Sequence, residues 1–136
     1  MASSPIEAPI PWWIRIVVAL GAVLNAIGAI VALVAPQMLV SPQDEINGAV
    51  HIYAGSLASR NIVLAIALLL LLALGFRRAL ANLMLLVGFI QLVDVIMDCV
   101  ERRWMVAPGV LVLGVLFLVG AAQLSGYPFW KAKAWK

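Results

Sequence analysis

Gln91, Asp94, Asp98 and Glu101 follow one another at spacings of three, four and three within an otherwise apolar stretch. At 3.6 residues per helical turn that spacing stacks them on one face as a single polar stripe. A second group, His51, Tyr53, Ser56, Arg60 and Asn61, precedes the aliphatic run Ile62 to Leu74, and Tyr53, Ser56 and Arg60 share a face. Asn25 stands between Gly21 and Gly28, small residues that allow close helix approach. Such groups in an apolar setting suit two kinds of chemistry. One is recognition: Arg60, Asn61, Tyr53, Ser56, Gln91, Asn25 and Glu101 would hold the polar end of a lipophilic small molecule, with Arg60 and Asp94 as anchors. The other is acid catalysis without a cofactor. Asp94 or Asp98 would donate a proton in a dry pocket to an isoprenoid, epoxide or sterol-like substrate, while its neighbour stays ionised beside Arg60. Cyclisation, isomerisation and epoxide opening need no more than that donor.

Other chemistries are excluded by count. One His and one Cys among 136 residues cannot build a bis-axial haem site, a zinc site of usual composition or a thiol redox pair. Asp94, Asp98 and Glu101 on one helix make a poor cage for a divalent ion, so no metal is expected. Neither a Gly-rich phosphate loop nor a Gly-x-Ser-x-Gly elbow occurs.

The elements that must position these residues follow from composition. The chain is 65% hydrophobic and 11% charged, with a mean hydropathy of +1.12; soluble proteins run to roughly 45–50% apolar and about 25% charged. Continuous apolar runs of about 20 residues are membrane-spanning helices, and they lack the alternation of a membrane barrel. Four are expected, over about 12–35, 49–74, 79–100 and 105–124, making one all-α transmembrane four-helix domain over residues 1–136. Pro11 opens the first and Pro36 closes it, and Trp12 and Trp13 serve as interfacial anchors. The first run is expected to be a span and not a cleaved signal, because no Lys or Arg precedes it and its apolar stretch exceeds a 7–15-residue h-region. No lipidation motif is present.

The N-terminus, the second connection and the C-terminus share one side, with Arg15, Arg77, Arg78, Lys131, Lys133 and Lys136; Arg102 and Arg103 lie on the other with Asp44, Glu45 and Glu101. The positive-inside rule then puts both termini in the cytoplasm; the expected membrane is a bacterial inner membrane. The tail Lys131 to Lys136, with Trp130 and Trp135, reads as an anchor on anionic lipid; a nucleic-acid partner is not expected at so few charges. Counting from the outer ends, Asp94 lies ~10 Å inside Glu101 and Arg60 ~13 Å inside His51, so antiparallel neighbours bring the two to one level. Asn25 lies ~16 Å before Pro36. The polar cluster therefore predicts a cavity in the outer half of the membrane, floored by Leu, Ile and Val. Gly109, Gly114 and Gly120 on the fourth span offer either packing or cavity space.

Each of these residues also has a structural reading. Arg60 and Asp94 serve equally as a pair that sets helix register. Asp98 and Glu101 fit a solvated helix end, with Asp98 paired to Arg102 four residues on. His51 fits the interface, Asn25 fits interhelical hydrogen bonding, and Cys99 fits a packed small side chain.

From Tyr53 to Arg103 the chain resembles small four-helix membrane proteins related to the DoxX-like superfamily, members of which are known only as domains of unknown function. Those families carry a Gly-x-Arg-acid signature early in the second helix, an aliphatic run, a short basic turn and an Asp in the third helix. The matching pieces are Arg60, Ile62 to Leu74, Arg77 with Arg78, and Asp94, while Ala58 replaces the Gly and Asn61 replaces the acid. The resemblance implies a four-helix bundle with a small-molecule site and supplies no reaction. Other readings are a non-catalytic subunit of a larger membrane complex and a homo-oligomeric transporter or channel whose third-span stripe lines a path. A ligand-sized void at the level of Arg60 favours binding or catalysis, a filled core favours the subunit, and a stripe facing a partner chain favours the pore.

Overall fold

The structure is a computed structural model that describes residues 9–38, 40, 43 and 45–126. Asp44 and the aromatic and basic tail, Tyr127, Phe129 and Trp130 to Lys136, lie outside the described residues, so the lipid-anchor expectation falls outside them too. Four helices follow in order: α1 (Trp12–Val34), α2 (Gly48–Leu74), α3 (Arg77–Val100) and α4 (Ala107–Ser125), with a 3-10 turn at Pro36–Met38 after α1. All four are long and apolar enough to cross a membrane, which marks the chain as an integral membrane protein with an all-α bundle. Every boundary lies within two residues of the span read from the sequence. Hydropathy locates spans this well because the connections are short and polar while the spans are not.

Local chemistry accounts for the helix ends. Asn47 caps α2, its Oδ1 accepting the Val50 N–H at 3.1 Å. At the other end of α2, Gly75 adopts φ 70°, which lets the Phe76 N–H reach Leu71 O and the Gly75 N–H reach Leu72 O, both at 3.2 Å. That Schellman turn leaves only Gly75 and Phe76 between α2 and α3. The expected basic connection is thus the first turn of α3: Arg77 and Arg78 are helical.

Packing is unequal along the bundle. α1 lies along α2 and α3 along α4, with much less contact between the two hairpins. The hairpins join at the end that holds Trp13 and Arg77. There Ile14 and Val18, Leu68, Leu80, Met84 and Leu85, and Phe117 form one fully buried core drawn from all four helices. The Phe117 ring occupies the space that a Cβ on Gly21 would need. Arg77 closes the same end, donating from Nε to Leu124 O and from Nη1 to Pro9 O, both at 3.1 Å. At the opposite end Ala29 and Ala32 of α1 meet Ala54 and Ala58 of α2 in a separate cluster, and nothing from the other hairpin joins it. The small side chains let α1 and α2 approach closely there. The α3–α4 pair is drawn together by Gly88 and Gly114: a Cβ on Gly88 would lie 2.8 Å from Leu118 Cγ and 3.3 Å from Gly114 O. The bundle is therefore closed at one end and divided at the other.

Candidate functional site

Between the divided hairpins lies a half-open groove of about 680 Å³. Its walls come from all four helices: Leu24, Asn25 and Gly28 of α1; Tyr53, Ser56, Leu57, Arg60, Asn61 and Leu64 of α2; Val87, Ile90, Gln91, Asp94, Met97 and Asp98 of α3; Gly109 and Val110 of α4. Glu101, Arg103 and Val106 complete it from the α3–α4 turn. All nine residues singled out from the sequence, Asp94 and Asp98 as catalytic candidates and Arg60, Asn61, Tyr53, Ser56, Gln91, Asn25 and Glu101 as binding candidates, line this one groove.

The groove is graded. On α3 the stripe runs Glu101, Asp98, Asp94, Gln91 and on to Val87, so one helix face passes from charge to amide to hydrocarbon with increasing depth. On α2 the corresponding series is Tyr53, Ser56, Arg60 and Asn61, then Leu64. α2 has 27 residues and is ~40 Å long, about 10 Å more than the hydrocarbon core, so its polar first turns reach the interface. His51, in those turns, is exposed and does not line the groove.

Arg60 and Asp94 meet across the α2–α3 gap, Nη2 to Oδ2 at 3.3 Å. The side chains are 40% and 35% exposed, so the pair is set in the groove wall and is not sealed in the core. That exposure comes from the gap between the hairpins, which a count of residues along the helices does not fix. A single long contact also leaves most guanidinium donors free to turn toward the groove.

Asp98 differs from expectation. Its partner is Arg103, Nη1 to Oδ1 at 3.3 Å, and not Arg102. The reason is backbone: Arg102 takes φ 59°, and the chain closes a second Schellman turn, Arg103 N–H to Asp98 O at 2.7 Å and Arg102 N–H to Cys99 O at 3.2 Å. In that motif the third residue from the helix end and the second residue beyond the turn usually meet through apolar side chains. Here the meeting is an ion pair, and it buries Asp98 to 7% exposure. A solvated helix end does not describe Asp98, although it does describe Glu101, which is exposed. Arg103 was not among the residues singled out; helical spacing pointed to Arg102, and only a left-handed residue at the turn brings the next side chain back.

Asn25 is also corrected in part. Its amide donates to Gly21 O of its own helix at 2.8 Å, so this donor is spent within α1 and not between helices. The interhelical contact falls to Asn61, whose Nδ2 lies 2.9 Å from where a Cβ on Gly28 would be. The glycines of α4 divide between the two roles foreseen for them. Gly114 and Gly120 are filled against by Gln91 and Met84, whereas Gly109 has open space beside it and lines the groove. Asn82, not singled out from the sequence, has a buried Oδ1 with no hydrogen-bond partner among the described residues and lies outside the groove. Among the described residues no three His, Cys, Asp or Glu side chains gather as a metal-binding group. No protein-family model, no curated protein and no solved structure matches this chain.

Proposed function

We propose that this integral membrane protein binds a lipophilic small molecule in the groove between its two hairpins, with the molecule's polar end among Tyr53, Arg60, Asp94, Asp98 and Glu101 and its apolar part against Leu24, Leu64 and Val87. The observation that carries the reading is the grading of a single cavity of about 680 Å³ from charged mouth to aliphatic floor. Ligand sites of this size are mostly apolar with a few converging polar groups. Ionisable residues within a span are costly, and a site is the usual reason for keeping several of them together.

Recognition is favoured over acid catalysis by the partners of the two candidate acids. Asp94 and Asp98 both accept hydrogen bonds from arginines, which uses them as acceptors and not as donors. The void supports binding over the small-subunit reading, and a stripe turned toward this chain's own α2 does not call for a pore between copies. The surrounding partner is membrane lipid, with no nucleic acid. The membrane is a bacterial inner membrane, both termini are cytoplasmic, and the groove opens in the outer half; the basic residues Arg15, Arg77 and Arg78 at the closed end support that direction. The DoxX-like relationship belongs to the same proposal and rests on the residue pattern from Tyr53 to Arg103.

The test is extraction of the purified protein and of Gly109→Trp with organic solvent, followed by mass spectrometry. Gly109 lines the groove and a Cβ there meets nothing within 4 Å, so an indole at this position is expected to take up groove space. A small molecule retained by the wild type and lost from Gly109→Trp is the expected result. Identical extracts from both proteins would overturn the reading.

A further inference from the structure

We propose that the polar end of the ligand carries a positive charge, and that the groove is a site for a lipophilic amine or quaternary ammonium ion. The inference rests on the binding reading above. Five charged side chains line the groove: Arg60, Arg103, Asp94, Asp98 and Glu101. Each guanidinium is already turned onto a carboxylate, Arg60 onto Asp94 and Arg103 onto Asp98, both at 3.3 Å. What remains is the carboxylate of Glu101, which has no ion pair among the described residues and stands at the C-cap of α3, at the mouth. The groove therefore carries one negative charge in excess, at its entrance.

An anionic head would meet three carboxylates. The donors that Arg60 has left could reach it, but that positive charge is already shared with Asp94, so the excess carboxylate still opposes an anion. A cationic head needs no exchange, because both internal pairs persist and Glu101 is neutralised on binding. Tyr53 supplies the second element of ammonium recognition. It lines the α2 wall, opposite the stripe of α3, and is 60% exposed, which leaves an aromatic face available to a cation. The aliphatic floor excludes a bare metal ion as the natural occupant: an ion that needs several oxygen ligands gains nothing from Leu24, Leu64 and Val87. An alkyl chain attached to an ammonium head uses the floor and the mouth together.

Three probes with one tail separate the possibilities. The full-length protein in a neutral maltoside detergent is titrated with octyltrimethylammonium, octyl sulfate and octanol, and affinity is read from the shift of the thermal unfolding midpoint with probe concentration. Octyltrimethylammonium is expected to bind most tightly. Glu101→Gln, a change at an exposed helix end that leaves the fold intact, is expected to weaken that probe about 3- to 10-fold, and Tyr53→Leu about 3-fold, with octanol unchanged in both. Tighter binding of octyl sulfate, or an unchanged octyltrimethylammonium affinity in Glu101→Gln, would overturn the cation assignment while leaving the groove as a binding site. Failure of all three probes to bind in a manner blocked by Gly109→Trp would overturn the binding reading and this inference with it.

Discussion

Arg60→Met and Asp94→Leu, singly and together, probe the contact that joins the two hairpins across the groove. A fully buried pair that loses one partner commonly costs ~3–5 kcal/mol, and an exposed pair ~0–1 kcal/mol. Arg60 and Asp94 fall between these limits, with side chains 40% and 35% exposed and one contact of 3.3 Å. A coupling energy of about 1–2 kcal/mol follows, which is roughly a 5- to 30-fold effect on the unfolding constant. Each single variant leaves a charge beside aliphatic groove walls, and the double variant removes both charges and recovers most of the loss. Reversible unfolding in mixed detergent micelles, followed by tryptophan fluorescence, measures this because Trp13 packs on the shared core at the closed end. Coupling below about 0.5 kcal/mol would mean that the two side chains do not interact, and that the hairpins are not held as described.

Three further outcomes follow from the packing and the turns. Gly88→Ala places a Cβ 2.8 Å from Leu118 Cγ and should destabilise the bundle by about 1–3 kcal/mol, whereas Gly109→Ala, with open space, should be neutral or slightly stabilising in the same unfolding assay. Arg102→Gly relieves a left-handed residue at φ 59° and should stabilise by about 0.5–1 kcal/mol; a loss of stability would mean that the Arg102 side chain contributes more than its backbone costs. Single cysteines at positions 77 and 101 in a Cys99→Ser background should label from opposite faces of the membrane, with position 101 reached by an impermeant reagent from outside; the reverse pattern inverts the orientation.

How far the sequence carries can be seen residue by residue. The spans are legible because membrane hydrocarbon imposes a length and a polarity on them. The pairing of Arg60 with Asp94 is legible because depth along an antiparallel pair is a matter of counting residues. What counting cannot supply is rotation and separation. Gly109 and Gly114 look alike in the chain, yet one borders empty space and the other is packed against Gln91. Leu64 and Val87 line the groove and Ile66 and Leu70 do not, and nothing in the aliphatic side chains themselves distinguishes them. Arg103 was hidden by a single backbone angle at Arg102, an arginine where Gly is the usual left-handed residue and where Gly75 stands in the matching turn after α2. Asn25 reads from the sequence as an interhelical hydrogen-bonding group or a ligand contact, and spacing does not show that its amide returns to its own helix four residues back.

The most direct test of the groove as a ligand site is photocrosslinking in membranes with a long-chain amine that carries a diazirine on its tail, followed by peptide mapping. The groove predicts adducts concentrated on the 53–64 segment of α2 and the 87–101 segment of α3, and their loss when Gly109→Trp fills the cavity. Adducts spread evenly over outward-facing side chains such as Ile16, Ile66 and Leu70, and unchanged in Gly109→Trp, would show that the molecule meets this protein only as bulk lipid does.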